Sequence, residues 1–170
     1  MGLIPGMEGM LGSKLAGWDE LLSVRARCAE EGKRVVWTNG CFDLLHPGHV
    51  RSLESARRLG DVLVVGLNSD TSVRQLKGVG RPILSELERV EVLSGLSCVD
   101  YVMIFAELRP DAALLRLKPD IHCKGAEYAP PHGKPIPEME TVHSYGGRIE
   151  FLPYSGGIST TELIRRIREA

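Results

Sequence analysis

Short continuous apolar runs alternate along this chain with stretches whose apolar residues return every three or four positions, and each change of period marks an expected element. Trp18, Leu21, Leu22 and Arg25 keep helical spacing and Gly32 follows them, which predicts a helix closed by a glycine cap. Val35, Val36 and Trp37 form an apolar run, read as a strand over 34–38 that Asn39 and Gly40 break. Pro47 opens a helix through Arg58 with Val50, Leu53 and Ala56 facing inward. Val62, Leu63, Val64 and Val65 do not alternate with polar residues, so the strand over 61–67 is expected to be covered on both faces, as in a parallel sheet. Further strands are predicted over 101–105, 120–123 and 148–152. Further helices are predicted over 71–76, 85–96, 110–117 with Pro110 in the first turn, 138–145 and 159–168.

Strand and helix thus alternate through about five strands, the pattern of an α/β three-layer sandwich with helices on both faces of a parallel sheet. Ligands of such sheets bind beyond the carboxyl ends of the strands. Residues 1–17, rich in Gly and Met at their start, are expected to be a loose tail, and 18–170 a single domain. Two loops are expected, one over 77–82 and a proline-rich one over 129–137.

Composition narrows the functions open to such a fold. Hydrophobic residues make up 43% and charged residues 25%, which suits a soluble core. Lys and Arg total 21 against 22 Asp and Glu, so no broad field draws the chain to nucleic acid or an anionic membrane. No apolar stretch is long enough to span a bilayer. Cys28, Cys41, Cys98 and Cys123 form no C-x-x-C pair. A cytoplasmic protein without disulfides is expected.

The chemistry-bearing residues concentrate at strand-to-helix junctions. Asn39-Gly40-Cys41-Phe42-Asp43-Leu44-Leu45-His46-Pro47-Gly48-His49 lies between the first strand and the next helix. Pro47 at the first helical position makes His46 the N-cap and His49 the third helical residue. Both imidazoles then stand where free backbone N–H groups and the helix dipole favour an anion, and Gly48 carries no side chain to block a phosphate. The competing readings are a metal site built on H-x-x-H, for which no adjacent Cys, Asp or Glu set completes a shell, and simple capping or packing. Asp43 reads either as a substrate contact or as a loop hydrogen-bonder.

Gly156-Gly157-Ile158-Ser159-Thr160-Thr161-Glu162 opens the last helix. Ser159 and Glu162 have capping-box spacing, and the glycines and three successive hydroxyls also suit a phosphate chain. Lys77-Gly78-Val79-Gly80-Arg81-Pro82, with Arg89 further on, is either a basic loop over phosphates or a solvated surface loop. Lys124-Gly125-Ala126-Glu127-Tyr128 follows a strand directly and so belongs to the ligand edge of the sheet. The P-loop, dinucleotide and nucleophile-elbow fingerprints are absent.

His46-Pro47-Gly48-His49 together with Ile158-Ser159-Thr160-Thr161 resembles the H-x-G-H nucleotidyltransferase superfamily. Thr38 through His46, Lys77-Gly78, Arg81-Pro82, Val99-Asp100-Tyr101 and Lys124-Gly125 look like its heptose 1-phosphate adenylyltransferases. The likeness runs from about Trp18 to the end, and the joint order of the motifs is more specific than any one of them. It implies a Rossmann-like fold and transfer of AMP from ATP to a sugar 1-phosphate, forming ADP-heptose for lipopolysaccharide or another glycan. By position it implies His46, His49, Lys77 and Arg89 as catalytic residues. Asn39, Gly40, Cys41, Phe42, Gly48, Ser159, Thr160 and Thr161 would hold the nucleotide and its phosphates, and Asp43, Lys124, Gly125 and Tyr128 the substrate. Mg²⁺ is expected to arrive with ATP, with no protein ligand assigned to it. A homodimer is implied, as are a separate sugar kinase and a phosphatase in the pathway. The chain departs from the family's K-G-x-D-Y at Glu127, and Gly157 to Thr161 looks as much like glycerol-phosphate cytidylyltransferases. A CTP-using enzyme is therefore the alternative.

Overall fold

The five apolar runs pair into one sheet: β1 (Val35–Gly40), β2 (Val62–Asn68), β3 (Tyr101–Phe105), β4 (Ile121–Gly125) and β5 (Arg148–Leu152). The structure is a computed structural model and describes residues 14–153 and 159–170. Strand order is β3-β2-β1-β4-β5, and every neighbouring pair is parallel. The helices are α1 (Trp18–Glu30), α2 (Pro47–Arg57), α3 (Asp70–Lys77), α4 (Glu86–Ser94), α5 (Asp111–Leu117), α6 (Met139–Ser144) and α7 (Thr160–Glu169).

Strand periodicity splits the interior into two cores. On β1, Val35 and Trp37 point to one face, where they meet Leu21 and Val24 of α1, Leu114 and Leu117 of α5 and Val142 of α6. Val36 points to the other face, against Leu53 and Ala56 of α2 and Val90 and Leu93 of α4. Coverage on both faces is why the strands read as unbroken apolar runs. Gly66 is required by this packing, because a Cβ there would run into the Trp37 indole.

Carboxylates close the amino-terminal edge of the sheet. Asp120 accepts from the Val35 amide and from Arg25, at 2.8 and 3.0 Å. Asp100 accepts from the Leu63 amide at 2.7 Å and pairs with Arg57 at 2.9 Å. The Asp100 of the family-like Val99-Asp100-Tyr101 run thus secures a strand start, on the edge opposite the expected ligand edge.

The strands and α-helices match the sequence reading in order and type, with local corrections, and a 3-10 turn at Ala126–Tyr128 that it did not assign follows β4. Asn39 and Gly40 do not break the first strand; they belong to it as its last two residues, in register with Gly66 and Leu67 of β2. Pro110 is the N-cap of α5 and lies just outside its first turn. Helix α4 opens with a reciprocal capping box between Ser85 and Glu88 that the sequence reading did not assign. Residues 1–13 of the expected tail lie outside the described residues. Its last part is joined to the sheet: Leu15 forms a parallel bridge with Val102, and Ala16 is buried.

Candidate active site

Connections from β1 and from β4 leave in opposite directions, since β2 lies on one side of β1 while β4 and β5 lie on the other. Such a reversal of strand order opens a crevice at the carboxyl ends of the two central strands. A cavity of about 780 Å³ lies there, lined from β1 and the following loop by Asn39 to Asp43, His46 and His49, and from β4 by Lys124 and Gly125. Ser159, Thr160 and Thr161, at the start of α7, form another part of the wall.

His46 is the N-cap of α2 and Pro47 its first residue, as their order predicts. The two imidazoles stack with centroids 3.8 Å apart and planes 23° from parallel. Phe42 packs its ring against His49 at 5.3 Å. Phe42 itself has φ 44°, a left-handed conformation uncommon outside glycine, where the chain turns out of β1. Burial, reinforced by neighbouring His46, pushes the His49 pKa down to about 4, and burial lowers that of His46 too. Both rings are therefore neutral at pH 7. The Nδ1 atoms of both rings are buried without a partner. A stacked neutral pair beside the start of α2 can donate to an anion and needs no carboxylate to balance it.

The Ser159 hydroxyl accepts from the Glu162 amide at 3.1 Å and caps α7. The second half of the expected capping box does not form, because the Glu162 carboxylate engages Arg165 and Arg166 at 2.8 Å. Thr160 donates its hydroxyl to the Leu44 carbonyl at 3.3 Å, which joins the start of α7 to the loop that leads into α2. Gly156, Gly157 and Ile158 lie outside the described residues.

Three expected site residues have other employment. The Arg89 side chain is fully buried and does not line the cavity. Its guanidinium donates to the carbonyls of Leu84, Cys41 and Asn68 and pairs with Asp70 at 2.8 Å. It fixes the ends of β1 and β2 and stays out of reach of a ligand. Asp43 lines the cavity, yet its carboxylate is taken by Arg81 and by the amides of Ile83 and Leu84. That is the loop-bonding alternative, and it pins the basic loop over the site. Gly48 is the second residue of α2 and does not line the cavity. Lys77, at the end of α3, is exposed on the rim.

Tyr128 and Lys124 meet in the β4 wall, with the amine 4.3 Å from the ring centroid. Among the lining residues that escaped the sequence reading, two are charged, Arg109 and Glu138. Arg109 stands beyond the carboxyl end of β3, a position that could have flagged it. Glu138 follows the proline-rich loop, and nothing local marks it. It is buried and accepts from Lys124 Nζ at 2.7 Å and from His122 Nε2 at 3.0 Å. Burial pushes its carboxyl up, but the hydrogen bonds from His122 and Lys124 outweigh that and hold its pKa at about 2. Among the described residues no three His, Cys, Asp or Glu side chains gather as a metal cage. Nor, among them, is any helix long and apolar enough to cross a membrane.

A family model described as cytidylyltransferase-like matches residues 37–166. The chain is 49% identical over 157 residues to the bifunctional protein HldE of Pelobacter propionicus, covering 92% of this chain and 32% of that protein. It is 51% identical over 148 residues to the bifunctional protein HldE of Syntrophotalea carbinolica, covering 87% and 29%. The chain spans about a third of the length of these curated relatives. Among solved structures, the lipopolysaccharide core biosynthesis protein from Thermoplasma volcanium superposes with a TM-score of 0.59 at 28% identity, over 75% of this chain and 100% of that one. Pantoate-beta-alanine ligase from Francisella tularensis gives a TM-score of 0.53 at 13% identity, over 92% and 78%, a likeness of fold alone.

Proposed function

Because the chain belongs to the cytidylyltransferase-like family of nucleotidyltransferases, we propose that it transfers AMP from ATP to a sugar 1-phosphate, D-glycero-D-manno-heptose 1-phosphate, forming ADP-heptose and releasing pyrophosphate. The observation that carries this reading is the convergence of two helix starts on one cavity, one bearing the His46–His49 stack and the other Ser159 to Thr161. Each start turns the positive end of a helix dipole toward the same cavity, the first adding two imidazoles and the second its hydroxyls. The relatives named HldE and the lipopolysaccharide core biosynthesis protein support a sugar phosphate as acceptor.

A sugar phosphate has a second pKa of about 6, so its oxygen is already a nucleophile at neutral pH and needs no general base. That oxygen attacks the α-phosphorus, the bond from the α-phosphorus to the bridging oxygen breaks, and pyrophosphate departs with the electron pair. The barrier comes from bringing anions together and from charge on the leaving group. Positioning and fixed donors therefore supply the rate. His46 and His49 would donate to phosphate oxygens, Ser159 to Thr161 would hold the chain of phosphates, and Lys77 would meet the charge that develops on pyrophosphate. Asp43 and Arg81 would keep the basic loop in place.

Of the three carboxylates lining the cavity, Asp43 and Glu138 are already engaged by cations and amides, which leaves Glu127 alone and fits Mg²⁺ arriving on the triphosphate better than a protein-held ion. When bound, Mg²⁺ would screen charge on the phosphate oxygens. The same reading takes the protein as a cytoplasmic homodimer, supplied with its acceptor by a sugar kinase and a phosphatase acting earlier.

Pyrophosphate release tests the proposal. ATP and CTP are each offered with heptose 1-phosphate and with glycerol 3-phosphate. Release with ATP and the heptose alone is the expected result. Release with CTP and glycerol phosphate would replace it.

A further inference from the structure

The β4 wall of the cavity contains a buried arrangement that the proposed mechanism does not use. His122 and Glu138 are 0% and 3% exposed, and the His122 Nε2–H donates to the Glu138 carboxylate. A single carboxylate oxygen, Glu138 Oε1, takes hydrogen bonds from His122 Nε2 at 3.0 Å and from Lys124 Nζ at 2.7 Å. Lys124 occupies the carboxyl-terminal end of β4 and reaches the cavity, with its amine over the Tyr128 ring. A lysine amine on a four-carbon stem is mobile by default. Here it is held between a carboxylate on one side and an aromatic face on the other.

Burying a carboxylate and an imidazole together is costly unless their polar atoms are matched. One positive partner already balances Glu138, namely Lys124. A charged His122 would leave surplus positive charge in the interior, so His122 stays neutral, with its proton on Nε2 pointing at Glu138. Its role in the group is to fix the carboxylate. The Lys124 ammonium spends one of its three N–H donors on Glu138 and keeps others for a ligand in the cavity.

Building on the adenylyltransferase reading, we infer that Glu138 is a positioning residue of the acceptor subsite: braced by His122, it fixes the Lys124 ammonium where the phosphate of the sugar phosphate binds. The triphosphate occupies the part of the cavity where the two helix starts converge. The β4 wall combines that cation with the Tyr128 ring and the Glu127 carboxylate, groups suited to a phosphorylated polyol.

The test compares Glu138→Gln, Lys124→Ala and the double variant in steady-state kinetics with ATP and heptose 1-phosphate, with ATP affinity measured separately by calorimetry. Glu138→Gln is expected to raise the acceptor KM by about tenfold, the scale of one charge-assisted hydrogen bond, while kcat and ATP affinity stay within about threefold. Lys124→Ala should do the same, and the double variant should be no worse than Lys124→Ala alone. An unchanged acceptor KM, a parallel loss of ATP affinity, or additive effects of the two substitutions would overturn the inference. A second readout needs no turnover: long-range proton–nitrogen NMR of the His122 ring should find the neutral Nε2–H form at neutral pH, altered by Glu138→Gln. An Nδ1–H ring, or one indifferent to Glu138, would overturn the bracket. If the native protein releases no pyrophosphate with any sugar phosphate while this ring signature holds, the proposed reaction falls and with it the subsite's ligand, whereas the bracket stands.

Discussion

The Thr160 hydroxyl donates to the Leu44 carbonyl at 3.3 Å, joining residues 116 positions apart and setting the start of α7 against the loop that leads into α2. The two helix starts that line the cavity are thereby held to one geometry. Thr160→Val keeps the shape and removes the donor. It should cost about 1 kcal/mol in urea unfolding, the net worth of an ordinary hydrogen bond, and weaken triphosphate binding in calorimetry. Unaltered binding and unfolding would mean that the link does not hold the site together.

His49 should matter far more to turnover than to folding. His49→Ala is expected to lower kcat by about 10² to 10³, the usual effect of losing one preorganised donor to a developing anion. At pH 7.5 its unfolding free energy should stay within about 1 kcal/mol of native. Near-native turnover in a pyrophosphate-release assay would remove His49 from the mechanism.

The same histidine gives the free protein an acid-sensitive stability. Its pKa is about 4 when folded and 6.5 ordinarily. Between those values the unfolded chain holds a proton that the folded chain refuses. Stability is therefore full above pH 6.5, declines as the pH falls, and levels off below about 4, where the folded ring is protonated too. The loss is on the order of 2 kcal/mol after solvent screening at this partly exposed site is allowed for. Urea unfolding from pH 4 to 7 should follow that curve in the native protein and be flatter in His49→Gln. Parallel curves for the two proteins would show that His49 is not the group responsible.

Arg89 and Lys77 should separate cleanly. Arg89→Ala leaves Asp70 and the carbonyls of Leu84, Cys41 and Asn68 without their buried cation, and should cost about 3 to 5 kcal/mol. Lys77 is exposed on the rim, so Lys77→Ala should leave the urea midpoint unchanged and lower kcat. A stable Arg89→Ala protein with low kcat would restore Arg89 to the chemistry.

Ser159→Ala removes the cap of α7 and should cost about 1 kcal/mol, whereas Ser159→Gly should cost only a few tenths. Thermal unfolding distinguishes the two. Equal melting temperatures for Ala, Gly and native proteins would dispose of the capping assignment.

Much of the site was legible because its signals are local. Pro47 between His46 and His49 sets a helix start by the fixed φ of its ring, and Ser159 sets another by its hydroxyl. The motif resemblance assigned both starts to one reaction. Arg89 and Asp43 were legible as charged residues near the motifs, but not in their orientation. A guanidinium that faces three carbonyls and a carboxylate that faces two amides look, in sequence, like groups facing a ligand.

By itself the sequence determined the alternation of strand and helix, the two-sided burial of β2 and the residues that open α2 and α7. Each of these depends on neighbours a few positions away, through side-chain period, proline geometry or a cap. Only the tertiary structure decided that Lys124, His122 and Glu138 share one oxygen, that Arg89 is sealed inside, and that Thr160 reaches Leu44. Those contacts join residues up to 116 positions apart. They depend on the reversal of strand order at β1 and β4, which no local periodicity encodes.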